Sequence, residues 1–234
     1  MDTYNVTLNQ IAYGLFEIIR GKISDDSDID LDQIKDMIHS TRARLLKQKF
    51  DKNLRVIDDV FTQSLGALAI ESVDSSANTS VASGRYMFRT IKEIPHTIDR
   101  RNQEGTFTRI GPADKLATKY NLVSYDRALY SGFGRANKDQ IFAFLRDNKI
   151  YLISNSGAWH KAVQYIDVTG VFQNPAHVAI FLDSSADSLT FADERYPISR
   201  AMQEDIENVI LKEKLGVQSQ APSDKVNDGD DNPA

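Results

Sequence analysis

The chain has no cysteine among its 234 residues. That absence excludes a disulfide framework, a thiolate metal site and a cysteine nucleophile. Long apolar runs are missing as well. The most apolar early stretch, Leu8 to Ile19, is interrupted by Asn9, Gln10, Tyr13, Gly14 and Glu17, well short of the roughly eighteen apolar residues that cross a bilayer. It has neither a basic leader nor a cleavage site, so neither export by a signal peptide nor membrane embedding is expected. Positive charge is short too: 28 Lys and Arg stand against 33 Asp and Glu, a formal net charge of -5. A protein that coats nucleic acid needs clustered cations to neutralise phosphates, and this balance argues against that class.

Motifs of known chemistry are also wanting. Asp26, Asp28, Asp30 and Asp32 alternate like the opening of a calcium loop, but Leu31 stands where the turn glycine belongs and Met37 where a bidentate glutamate is needed. A solvated acidic loop that starts a helix is the favoured reading. No two of His39, His96, His160 and His177 fall at metal-ligand spacing on one helix. Gly132-Phe133-Gly134 lacks the third glycine of a dinucleotide fingerprint, since Asn137 takes its place. The carboxylate pairs Asp58-Asp59 and Asp193-Glu194 are adjacent in sequence, which points their side chains apart. We therefore assign no catalytic, cofactor-binding or metal residue and expect no cofactor.

What is present is the composition of a globular protein, 41% apolar and 26% charged, and a clear order of elements. Thr7 to Gln10 forms a capping box, Leu8, Ile11, Ala12, Leu15, Phe16, Ile18 and Ile19 form a helical stripe, and Gly21 offers a stop after Arg20. Asp30 opens a second helix with Leu31, Ile34, Met37, Ile38, Leu45 and Leu46 in period. Its acidic start and its basic end, Arg42, Arg44, Lys47 and Lys49, complement the helix dipole. The short joint predicts an α-hairpin.

From Phe61 the pattern becomes β. Strands are predicted over 61–73, 85–91, 162–168 and 178–182 and around Leu189 to Phe191. The clearest signal is a hairpin in which Ile141 to Leu145 and Ile150 to Ser154 flank a turn at Asp147-Asn148. Gly105, Gly111-Pro112, Gly132, Gly134, Gly157 and Asn174-Pro175 mark loops. Ser199 caps a last helix bearing Met202, Ile206, Val209 and Ile210, with Gly216 as its stop. Past Gln218 the tail carries Asp224, Asp228, Asp230 and Asp231 against Lys225, a composition expected to be disordered when free.

One stretch departs from the acidic balance. Between Arg85 and Arg135 lie Arg89, Lys92, Arg100, Arg101, Arg109, Lys115, Lys119 and Arg127, interleaved with Tyr86, Phe88, Tyr120, Tyr125 and Tyr130. Aromatics among cations can stack on and neutralise nucleic acid. A β domain with ordinary charged loops, or a surface that meets acidic tails of neighbouring subunits, accounts better for cations spread over so long a stretch.

The two ends carry a resemblance. Leu8-Asn9-Gln10-Ile11-Ala12-Tyr13, Ile18-Ile19-Arg20-Gly21, Leu31 to Lys35, Arg42, Arg44 and Lys47 to Asn53 resemble a virion structural protein of crAss-like bacteriophages. Tyr196-Pro197-Ile198-Ser199, the helix to Leu215 and the Pro222 to Asp228 tail look like the same family. The resemblance implies a tail ring protein, with the first ring as the best guess. Such rings are homo-oligomers, twelve-fold, stacked below the portal with neighbouring ring proteins to form the barrel through which genomic DNA leaves the capsid. It also implies a location in the virion tail or connector after synthesis in the host cytoplasm.

The reading is an α+β protein: an N-terminal helical hairpin over 1–56, a central antiparallel β domain over 57–198, a C-terminal helix over 199–217 and an extended acidic tail over 218–234. It acts as a non-enzymatic ring or connector subunit, without a membrane and without specific DNA binding. A virion-associated enzyme that degrades cell wall or carbohydrate, and a nucleic-acid-binding module, stand as the alternatives.

Overall fold

A computed structural model of the chain describes residues 5–22, 29–52, 58–73, 86–99, 105–114, 117–155, 163–183 and 191–214. The acidic joint at Asp26 and Asp28, Arg85, Arg100, Arg101, Lys115, His160, Leu189, the Gly216 stop and the tail lie outside them.

Helix α1 spans Leu8–Lys22 and α2 spans Leu31–Lys52. The capping box closes at both ends: the Gln10 N–H donates to Thr7 Oγ1 at 3.2 Å, and the Thr7 N–H donates to Gln10 Oε1 at 3.1 Å. The predicted stop at Gly21 is passed, since α1 runs one residue beyond it to Lys22. Ile11, Leu15 and Ile19 of α1 meet Ile34, Ile38 and Leu46 of α2 in one core. Full burial of each such side chain is worth about 1.5–3 kcal/mol.

Among the described residues seven strands form one sheet: β1 (Gln63–Val73), β2 (Tyr86–Thr90), β3 (Phe107–Pro112), β4 (Asn121–Leu122), β5 (Phe142–Arg146), β6 (Lys149–Ser154) and β7 (Tyr165–Gly170). Their order is β3-β7-β1-β2-β6-β5-β4. Every pairing is antiparallel except that of β4 with β5. The β5–β6 hairpin turns on Asp147 and Asn148 with φ of 50° and 56°, the left-handed pair that a two-residue turn requires.

The sheet's ends are joined. After β3 the chain doubles back, the Tyr120 N–H donates to the Ile110 carbonyl at 2.7 Å, and the next two residues pair with β5 as β4. A Cβ on Gly111 would run into the Thr118 carbonyl oxygen, so this seam needs glycine there. The interior is filled by Leu65, Leu68, Phe88, Ile110, Ala143, Ile150, Leu152, Ile166 and Val168. Leu65 and Leu68 are three apart yet both face inward, because a bulge at Gly66, φ +68°, inserts one residue between them. On the other face of β2, β5 and β6, Met87, Phe142, Phe144, Tyr151 and Ile153 pack around Ala128 of helix α3 (Tyr125–Tyr130).

Three further sequence expectations fail. Residues 178–182 belong to helix α4 (Pro175–Leu182), started by the Asn174 side chain, which accepts from the Ala176 N–H at 2.9 Å, and by Pro175 in the first turn. Phe191 sits in a short helical turn and not in a strand. Gly111-Pro112, expected as a loop, is the end of β3.

The last helix, α5 (Arg200–Val209), is capped by Ser199 through a 3.4 Å bond from the Met202 N–H and continues as a wider π turn over Ile210–Lys214. Its Met202, Ile206 and Ile210 join the core of α1 and α2. The two ends of the chain are thus one helical layer, tied further by Tyr196 N–H to the Val6 carbonyl at 2.8 Å and by Arg44 to Glu213 at 2.7 Å.

Candidate functional site

The helical layer meets the sheet at one buried guanidinium. Arg42 lies fully buried in the row Ile34, Ile38, Arg42, Leu46, Phe50, one residue per turn of α2. Its Nε donates to the Pro197 carbonyl at 3.1 Å, its Nη1 to the Phe172 carbonyl at 2.9 Å and its Nη2 to the Phe61 carbonyl at 3.5 Å. One planar fork thus joins three separate chain segments. Burial lowers its pKa to about 10, so it remains cationic at neutral pH. The Tyr196 ring lies 5.8 Å from the guanidinium, and burial pushes the Tyr196 phenol well up. Beside it, burial and then the Arg42 charge lower His39 to about 4, which keeps the imidazole neutral. This node holds structure together. It offers no opening to a substrate.

Three cations of the basic stretch are engaged within the chain. Arg89 bonds Glu71 at 2.6 Å across the β1–β2 pair, and Arg109 pairs with Asp167 at 3.2 Å across β3 and β7. Lys119 reaches the Thr108 carbonyl at 3.4 Å. Of the carboxylates singled out in sequence, Asp58 meets Lys49 at 3.1 Å and Asp193 accepts from Asn9 at 2.7 Å. Among the described residues no group of three or more His, Asp or Glu converges as a metal site. No described helix is long and apolar enough to cross a membrane.

What the surface does offer is apolar. An open groove of about 360 Å³ runs along Leu65 to Ala69 of β1, past Thr90 to Lys92, to Phe181 and Leu182 at the end of α4. Ile91, Tyr165, Ile180 and Leu182 stand exposed in and around it. A second apolar site lies beyond α3, where Tyr130 and Phe133 are 80% and 68% exposed. Tyr13 and Ile18 of α1 are also exposed, but five positions apart they lie on different sides of the helix, whose apolar stripe is otherwise occupied within its own chain. Exposed apolar patches of this kind mark contacts with other proteins.

Sequence reasoning missed both Arg42 as a buried tie and the groove. For Arg42 a signal was present, because it lies four residues from Ile38 and four from Leu46 on the apolar face. The groove depends on the bulge at Gly66 and on α4 and had no local signature.

No curated protein matches the sequence. The family described as phage tail ring protein 2 matches residues 10–232. The matching family carries the number 2 where the best guess was ring protein 1; the kind of protein is the one that the two ends resemble, and the match spans the β middle as well. The match covers nearly the whole length, a ring subunit is a virion tail component that assembles with other tail proteins, and this chain belongs to the phage tail ring protein 2 family of crAss-like phages.

Proposed function

We propose that the protein is the repeating subunit of a closed homo-oligomeric ring of twelve copies, stacked below the portal with the other ring proteins, and that the stack encloses the path of DNA out of the capsid. The observation that carries this reading is the family match over residues 10–232, nearly the whole chain. A closed ring requires heterologous contacts, in which one patch meets a different patch of the next subunit. The separate apolar sites at the β1–α4 groove and at Tyr130 and Phe133 supply unlike surfaces of that kind. A net charge of -5, with Arg89 and Arg109 committed to internal pairs, suits a channel past which DNA slides without sticking. On this reading the β domain of 57–198 is the body of the subunit, and the hairpin of 1–56 and the helix of 199–217 act together as its helical layer. The tail of 218–234 is the segment that engages a neighbour.

Quantitative mass spectrometry of purified particles tests the proposal. The chain is expected at a one-to-one ratio, or a small whole-number multiple, to the portal protein. Absence from the particle overturns the reading.

A further inference from the structure

We propose that the groove between β1 and α4 receives the acidic tail of a neighbouring copy, laid as an added strand along the open edge of β1 at Ala67. The inference rests on the ring reading and deepens it by naming the site at which the tail binds.

The groove contains an unfinished strand edge. Alternate residues of a strand aim their N–H and C=O at opposite edges. Ile70 bonds on the β7 side, its N–H donating to the Gln164 carbonyl at 3.2 Å, so Ala67 and Ala69 present theirs to the other side. There Ala69 is met by the end of β2, where the Ile91 N–H donates to the Ala69 carbonyl at 3.1 Å. The chain then departs, and the Ile94 N–H donates instead to the Asn148 carbonyl in the β5–β6 turn at 2.7 Å. The register of β1 with β2 accordingly runs only from Ile70 to Val73. Ala67 stands opposite Asp167 of β7 but turns its N–H and C=O away from it, toward the groove that it lines. Among the described residues no backbone group takes either of them. An amide and a carbonyl on an open edge are matched by an extended backbone, because a helix spends the same groups on itself.

Charge and side chains select the tail as that backbone. The groove's lining is apolar, with Leu65, Leu68, Phe181 and Leu182, and its one charged residue is Lys92. The Lys92 Nζ lies 5.4 Å from the centre of the Phe181 ring, and among the described residues it has no carboxylate partner. A fitting strand therefore brings an apolar side chain and negative charge together. Past Gln218 the one branched apolar residue is Val226, with Asp224 and Asp228 two positions to either side. In an extended strand these three share a face, so Val226 enters the groove with a carboxylate beside it for Lys92.

Reach allows the contact to be made between copies. Val226 lies twelve residues beyond Lys214, the last described residue, and an extended chain of that length spans about 40 Å. A domain of this size has a radius of gyration of about 18 Å, so the tail can leave its own subunit for the next. Tail and groove are unlike surfaces, and each copy keeps one of each free until the last joins the first. Ordering the tail costs entropy, which makes the contact weak for a free segment and stronger once the ring holds the tail beside its groove.

The absence of cysteine makes the test clean. Ala67→Cys places a thiol at an exposed groove position, and Asn227→Cys places one in the tail while keeping Asp224, Val226 and Asp228. Full-length protein carrying both substitutions is assembled, treated with a short bismaleimide and run on a denaturing gel. A ladder of covalent oligomers beyond the dimer is expected. Gly134→Cys, at a surface position where a Cβ meets nothing within 4 Å, replaces Ala67→Cys as the control and is expected to give no ladder. Adding Lys92→Glu, at an exposed residue, to the first pair is expected to lower the ladder about fivefold at low salt, with the difference fading as salt rises. In the otherwise unaltered chain Val226→Ser is expected to weaken self-association about tenfold, the worth of one buried valine. Assembled rings without the Ala67 ladder, an equal ladder from the Gly134 control, cross-links confined within single chains, or undiminished assembly of the serine variant overturn the tail site and leave the ring reading standing. A wild-type chain that forms no homo-oligomer, alone or in particles, overturns the ring reading itself.

Discussion

The Tyr196 hydroxyl and the Nδ1 of His39 share a hydrogen bond of 2.9 Å, with their ring centres 5.5 Å apart, directly beside the buried guanidinium of Arg42. A neutral imidazole suits this place, and an imidazolium would confront the Arg42 cation without water to screen it. The fold therefore holds a proton-sensitive point in the layer that joins the two chain ends to the sheet.

Stability is expected to fall as pH drops through this group. His39 titrates near 6.5 when unfolded and near 4 when folded, so the unfolded chain takes up the proton first. The contribution of the neutral form is fully present above about pH 6.5 and is lost between there and pH 4, in total about 3 kcal/mol. Urea midpoints measured between pH 7 and pH 4.5 will show a slope that His39→Gln flattens. An unchanged slope in the variant would dismiss this role.

Arg42→Met is expected to cost about 3 kcal/mol or more, because three buried carbonyls lose their donor. Arg42→Lys should rescue little of it, since an ammonium lacks the planar fork that reaches Phe61, Phe172 and Pro197 together. Chemical denaturation of the three proteins distinguishes the cases, and a lysine variant of wild-type stability would contradict the account.

The two backbone devices of the sheet should differ in sensitivity. Gly66→Ala keeps space for its methyl, with Leu182 Cδ2 at 3.9 Å, and suffers only the positive φ, about 1 kcal/mol. At Gly111 the obstacle is the Thr118 backbone, and Gly111→Ala is expected to cost about 2–3 kcal/mol by forcing the seam apart. Thermal melts that reverse this order would show that the seam yields easily.

Removal of residues 219–234 is expected to leave the melting temperature unchanged and to weaken ring or barrel assembly. Among the described residues the core of α1, α2 and α5 runs to Ile210 and Leu211, and the polar, acidic composition past Gln218 has little apolar surface to add to it. Size-exclusion chromatography with light scattering on the truncated chain checks this. Undiminished assembly would remove the tail from the contact.

Local signals were legible and distant ones were not. Thr7, Gln10, Ser199 and the Asp147-Asn148 turn act within four residues of themselves, and each does in the structure what its spacing predicts. Val178 to Leu182 misled because a continuous branched apolar run fits a buried strand as well as a buried helix. The deciding signal lay just upstream, in the cap at Asn174 and in Pro175. Strand β3 escaped notice because its Gly111 and Pro112 look like loop formers, yet glycine is required by the approach of Thr118, and a proline is tolerated at a strand end. Arg42 looked like a dipole-balancing surface charge until the carbonyls of residues 19 to 155 positions away came into view.

The seam at Tyr120 and Ile110 also bears on how such a protein survives its own abundance. A subunit made in many copies and meant to touch its kin side by side is at constant risk of sticking to them in the wrong way, and a bare strand edge is the commonest glue. Where β3 would present its edge, the chain covers it with its own returning residues. On the proposed ring reading, copies that meet there are left with side-chain recognition in place of backbone pairing at that edge. Such recognition can be selective where backbone pairing is not, and it favours ordered assembly over clumping.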